Sequence, residues 1–204
     1  MSRKRLAALI VCVVILMASA LAQRNEVSAT LGRTFVSSQR IQGSDLNVHF
    51  GNGLTIGANY SRLLKTYGIF GISGEVPFAY AFDMDLNTSQ NLIPEGYQSY
   101  FVTPAVRVNF FSGQGVSPWV SVGGGYGAFR MSDKLVFFGS NPGKTSTNTG
   151  VFQIGAGLDV WPWEKWGFRL EARDFYSGVP DLNVTTVRSR QHNYYVGGGV
   201  IRRF

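Results

Sequence analysis

Two histidines, His49 and His192, are the first candidates for acid–base or metal chemistry in this chain of 204 residues. A catalytic histidine needs a nucleophile and an orienting group within hydrogen-bond reach. His49 has Ser44 and Asp45 upstream, at a spacing no nucleophile–base pair requires, and His192 runs directly into Asn193, Tyr194 and Tyr195. Both read as loop or rim residues. No set of His, Cys, Asp and Glu has metal-ligand spacing. Asp83, Asp85 and Asn87 match the opening of a calcium loop whose other ligands and glycine are missing. The glycine runs GGGYG (123–127) and VGGGV (196–200) lack the helix that a phosphate cradle opens into. What remains is a set of charges, Glu75, Arg107, Asp159, Arg169, Glu171 and Arg173, each inside a stretch that otherwise alternates apolar and polar.

The elements that must hold these charges come after a leader. Arg3, Lys4 and Arg5 precede the apolar run LAALIVCVVILMASA, and Ala20-Leu21-Ala22 supplies a small-x-small cleavage site. These are the three parts of a secretory signal peptide, so residues 1–22 are expected to be removed after Ala22. The single cysteine, Cys12, leaves with it, and the exported chain relies on no disulfide. Losing three basic residues lowers the formal net charge from +7 to +4. No Lys/Arg cluster remains of the kind that nucleic-acid binding needs. Residues 23–204 show no sustained helical spacing and no further apolar run of membrane-spanning length.

Period-two alternation marks eight segments instead: 26–36, 54–63, 68–81, 98–111, 117–130, 149–161, 166–176 and 193–204. In the sixth, Phe152, Ile154, Ala156 and Leu158 oppose Gln153, Gly155, Gly157 and Asp159; in the seventh, Phe168, Leu170 and Ala172 oppose Arg169, Glu171 and Arg173. Three connections are short (LKTY, SGQGV, PWEK) and four are long and polar, near 37–53, 82–97, 131–148 and 177–192. Both chain ends then fall on the short-turn side. The pattern predicts an all-β, eight-stranded, antiparallel up-and-down transmembrane β-barrel over 23–204, closed so that no sheet edge is left. Its charged faces must point inward, since an arginine at mid-bilayer costs about 2–4 kcal/mol. A polar lumen and an apolar exterior follow, with glycines at 123, 125, 127, 155 and 157 relieving the crowded interior.

Trp119, Trp161, Trp163 and Trp166 fall at or beside short turns, which places all four in one membrane-interface girdle. The turn between the sixth and seventh segments sets Asp159 opposite Arg169. Glu75 and Arg107 approach across the third and fourth segments in a looser register. These pairs read as polar filling of a narrow interior rather than a gate.

A signal peptide, eight alternating strands and a last strand with Tyr194, Val196, Val200 and the terminal Phe204 on one face resemble the small outer-membrane β-barrels of the OmpA/OmpX type. The resemblance covers the whole mature chain and rests on patterns rather than fixed residues. It implies a bacterial outer-membrane location in a Gram-negative-type envelope and lipid as a partner. It also implies recognition of the last strand (Tyr194, Val196, Val200, Phe204) by the barrel assembly machinery. OmpA-like proteins often carry a peptidoglycan-binding domain after the barrel, and this chain ends where the barrel ends. Lipid A deacylases of the same fold place a serine two residues after a rim histidine, and His192 lacks it. The expected role is non-enzymatic, without cofactor or metal: envelope structure or surface interaction through four long loops, at most with a narrow pore. The rivals are a lipid A-modifying enzyme and a soluble periplasmic barrel for an apolar ligand.

Overall fold

The computed structural model describes residues 25–89 and 91–204; the expected signal peptide 1–22 and its cleavage site lie outside the described residues, as does the side chain of Asp83. Among the described residues eleven strands form one antiparallel sheet: β1 (Asn25–Val36), β2 (Gln39–Arg40), β3 (Asn47–Phe50), β4 (Gly53–Tyr67), β5 (Phe70–Asn87), β6 (Gly96–Val102), β7 (Ala105–Phe110), β8 (Val116–Met131), β9 (Ser146–Val160), β10 (Trp166–Gly178) and β11 (Arg190–Arg203). β6 and β7 are one wall strand interrupted at Thr103-Pro104, both pairing with β5 and with β8. Proline has no N–H for the ladder, and Pro77 on β5 faces the same gap. Thr103 N–H still reaches Pro77 O at 3.2 Å, and Gly124 N–H reaches Pro104 O at 3.1 Å.

The wall closes because β1 pairs with both β4 and β11, giving an eight-stranded barrel. At the seam Glu26 stands opposite Arg203, and Asn25 and Phe204 exchange backbone hydrogen bonds of 3.2 and 3.0 Å. The turns at 68–69, 111–115 and 161–165 are short; Gly68, at φ +57°, permits the first of them. The two small strands β2 and β3 extend the sheet from β5 on the long-loop side. Among the described residues there is no helix, and none is long and apolar enough to cross a membrane, which leaves strand-spanning untouched.

Burial is inverted relative to a water-soluble barrel. Ser28, Thr30, Thr55, Asn59, Ser73, Ser99, Ser121 and Gln153 are buried, while Leu31, Ile56, Val106, Val122, Ile154, Leu170 and Val196 are exposed. An outward surface this apolar calls for hydrocarbon rather than water as solvent.

The inward face has two tiers. On the turn side it is polar and charged. On the loop side it is aromatic: Phe101 stacks on Phe175 at 4.8 Å between centroids, with Phe129 and Tyr97 edge-on beyond. A bulge between Ala81 and Met84 shifts the alternation, so Met84 and Leu86 also turn inward, and Ile93, Leu182 and Val48 complete that cluster from the loops. The lumen is therefore polar through its turn-side half and packed with rings and aliphatic chains above.

Candidate functional site

The charged tier begins with a hairpin. The tight turn between β9 and β10 puts Arg169 in register with Asp159, and two parallel bonds of 2.7 Å join Arg169 Nε and Nη2 to the Asp159 carboxylate. This bidentate fork is the strongest geometry an ion pair offers. Arg173, four residues further up β10 on the same inward face, donates to Glu171 at 2.9 Å and crosses the lumen to Glu75 on β5 at 2.8 Å. Arg107 is not the register partner of Glu75, since Ser73 stands opposite Arg107 and Glu75 opposite Ala105. Its close partner is Glu26, while Glu75 and Asp159 each lie 3.9 Å from its Nη1.

Glu26 was not singled out by the sequence, yet it joins the two ends of the network. It accepts from Arg107, from Arg203 at 3.0 Å and from Ser61 at 3.3 Å. Four carboxylates (Glu26, Glu75, Asp159, Glu171) thus meet four guanidiniums (Arg107, Arg169, Arg173, Arg203). The balance matters because an unpaired charge buried in this interior would be left uncompensated. Neutral groups satisfy the remaining oxygens: Asn59 donates to Glu75 at 2.8 Å, and Tyr195 donates to Thr30, which donates to Glu171, at 2.7 and 2.8 Å.

At the centre of these charges stands Trp119. It is 1% exposed and lies inside the lumen, not in a membrane girdle. Arg107, Arg169 and Arg173 lie 5.7, 5.1 and 4.9 Å from its ring centroid, and its indole N–H donates to Asp159 at 3.2 Å. The reason is parity: Trp119 shares the inward face of β8 with Ser117 and Ser121. Trp161 continues the inward face of β9 and is likewise buried, under the guanidinium of Arg203 at 3.4 Å. Only Trp163 and Trp166, 60% and 48% exposed, face outward on the turn side. Arg202 lies over Trp166 at 5.2 Å, close to the strand end where its head can leave the apolar band.

Tyr194, Val196 and Val200 face outward on β11, and Phe204 is half-buried at the seam. His49 accepts or donates at Ser38 in the first long loop, 2.9 Å away. His192 sits on the outward face of β11 at the loop-side rim. Its Nδ1 is 2.6 Å from Asp174, and its ring stacks on Tyr194. Among the described residues no group of three or more His, Cys, Asp or Glu is placed to hold a metal ion.

The family model for the outer membrane protein β-barrel domain matches residues 8–199. The chain belongs to this family. As an outer-membrane barrel it is similar in fold to Neisserial surface protein A, at 13% identity and a TM-score of 0.60, over 88% of this chain and 97% of that one. It is also similar to OprG of Pseudomonas aeruginosa (10%, 0.57; 90% and 96% covered) and to the N-terminal barrel domain of OprF from the same organism (13%, 0.53; 90% and 100% covered). No curated protein matches the sequence. Family membership places the barrel in a bacterial outer membrane.

Within this outer-membrane barrel a glycine makes room for the central indole. A methyl group built on Gly157 would overlap the Trp119 ring and the Leu170 carbonyl. Gly157→Ala is expected to destabilise the barrel by about 1–3 kcal/mol through overpacking. The urea midpoint of the refolded variant in micelles measures it, and an unchanged midpoint would refute the packing described for Trp119.

Proposed function

We propose that this barrel is a non-enzymatic envelope protein that presents its long loops as an interaction surface, with at most a narrow pore through its lumen. The observation that carries the reading is how the loops are tied together above a filled interior. Gln42 N–H bonds Thr185 O at 2.8 Å and Val187 N–H bonds Arg40 O at 2.9 Å, joining the first and fourth loops. Val136 N–H bonds Ile93 O at 3.0 Å, joining the second and third. Asn183 on the fourth loop donates to Leu92 O at 2.8 Å and to Asn141 at 2.7 Å. An ordered cap loses less entropy on binding a partner than free loops would. At its tip Phe138, 76% exposed, is held with Phe137 by three hydrogen bonds to the side chain of Asn91.

The test is surface binding by cells of a non-adherent strain expressing the barrel, on immobilised extracellular-matrix proteins. Expression is expected to raise binding, and Phe137→Ser with Phe138→Ser to return it to the vector level with the folded barrel still heat-modifiable on gels. Equal binding with and without the barrel would count against the surface role. On the same reading Phe204 closes the strand that the assembly machinery recognises, and outer-membrane lipid surrounds the apolar wall.

A second reading, a lipid-modifying enzyme, draws on the Asp174–His192 contact, because a carboxylate on one ring nitrogen leaves the other free to act as a base. Loss of a lipid A mass change in His192→Ala would favour it; a lipid A spectrum unaffected by deleting the whole barrel would end it.

A further inference from the structure

The tip of the third long loop carries the most exposed large apolar side chain among the described residues, Phe138. Phe137 beside it and Leu92 of the second loop are also more than half exposed. Clustered apolar groups left in water mark an interaction surface. The backbone beneath these rings has its donors already paired. Leu135 N–H bonds Gly139 O at 3.1 Å, and Val136 N–H bonds Ile93 O at 3.0 Å. The N–H groups of Phe137 and Phe138 both donate to Asn91 Oδ1, at 3.0 and 3.1 Å, while Asn91 Nδ2 donates to Phe138 O at 3.0 Å. Gly139, at φ +98°, lets the chain turn back directly after the rings.

We infer that this hairpin inserts its rings into a zwitterionic phospholipid bilayer outside the cell that carries the barrel. The inference rests on the surface role proposed above and names the partner of the loop tip. Hydrocarbon offers no hydrogen-bond acceptor, so a segment enters it only with its donors already paired. The four consecutive N–H groups of 135–138 meet that condition. A protein partner that added a strand here would need main-chain N–H groups, and these are taken. Charge does not favour an anionic lipid. Asp133, Lys134 and Lys144 on the same loop, with Glu95, whose N–H bonds Lys134 O at 2.9 Å, sum to zero. The bonds from Asn183 to Leu92 O and to Asn141 hold the tip in place before contact, which lowers the ordering cost of insertion.

The experiment presents phosphatidylcholine vesicles to the refolded full barrel in nanodiscs, which are held on a surface through their scaffold protein. Barrel discs are expected to capture vesicles well above empty discs. Capture should be equal in about 50 mM and about 500 mM salt, since no net charge draws the tip to the lipid. Phe137→Ser with Phe138→Ser is expected to return capture to the empty-disc level. Asn91→Ala leaves both rings but unpairs three backbone groups, and is expected to weaken capture about tenfold; unchanged capture would overturn the role given to the paired backbone. Phe138→Trp gives a readout that does not depend on how Asn91→Ala folds. Its emission should be quenched by vesicles of brominated phosphatidylcholine, beyond any quenching of wild type. Absence of both capture and quenching would overturn the inference. Cells that still bound matrix proteins through Phe137 and Phe138 would then keep the surface role with a protein in place of the bilayer, and cells that bound neither would lose both readings.

Discussion

Arg173→Leu is expected to destabilise the barrel by about 3–5 kcal/mol, because it leaves the Glu75 and Glu171 carboxylates buried without their closest cation. Reversible urea unfolding in micelles measures the loss. The control is the double variant Glu171→Leu, Arg173→Leu, which leaves three carboxylates (Glu26, Glu75, Asp159) facing three guanidiniums (Arg107, Arg169, Arg203). Replacing a buried charge pair by apolar groups of similar size is often neutral or stabilising, so the double variant should recover part of the lost stability. Recovery would be incomplete because Thr30 loses its acceptor and Glu75 keeps only the longer 3.9 Å contact to Arg107. If the single variant unfolded at the wild-type urea concentration, the three side chains would not form the interdependent set that the 2.8 and 2.9 Å contacts describe.

The second large effect is expected from Trp119→Ala. Removing a fully buried tryptophan costs about 3–5 kcal/mol through lost burial and the cavity left behind. Here it also withdraws the ring beneath three guanidiniums, each such contact being worth about 0.5–2 kcal/mol when desolvated. The space opened lies beneath the aromatic tier, and its walls carry ionised groups that draw water in. The variant should therefore unfold at lower urea; with Phe101→Ala added, which opens the stacked rings above, it should also pass ions in a planar bilayer. Trp119→Phe, which keeps most of the volume, should stay closed while losing the bond to Asp159. A Trp119→Ala, Phe101→Ala barrel that is as tight as wild type would show that these rings are not what fills the lumen.

Much of this was legible in the sequence, for identifiable reasons. Alternation and turn length are local properties, so the wall strands, their inward charges and the Asp159–Arg169 pair could be read directly; the PWEK turn alone fixes that register. Glu26 and Arg203 meet only because the barrel closes, and each stands alone at a strand end in sequence. Arg173 reaches Glu75 across the lumen between strands that are not neighbours, a contact that no pairing pattern encodes. The tryptophans teach a different lesson. The alternation that sends Ser121 and Asp159 inward also sends Trp119 and Trp161 inward, and proximity to a turn is the weaker guide. The apolar loop cluster was hidden because Val48, Ile93 and Leu182 lie in segments without periodicity, and because the bulge at Ala81/Met84 breaks the alternation of β5.

This outer-membrane barrel is filled rather than open: a charge-balanced tier around Trp119 below, stacked rings above. Planar-bilayer recording of the refolded wild-type barrel beside the double variant Trp119→Ala, Phe101→Ala tests that filling most directly. Wild type is predicted to show no stable conductance steps, and the variant to show them. Long-lived openings in wild type, as frequent and as large as those of the variant, would contradict it.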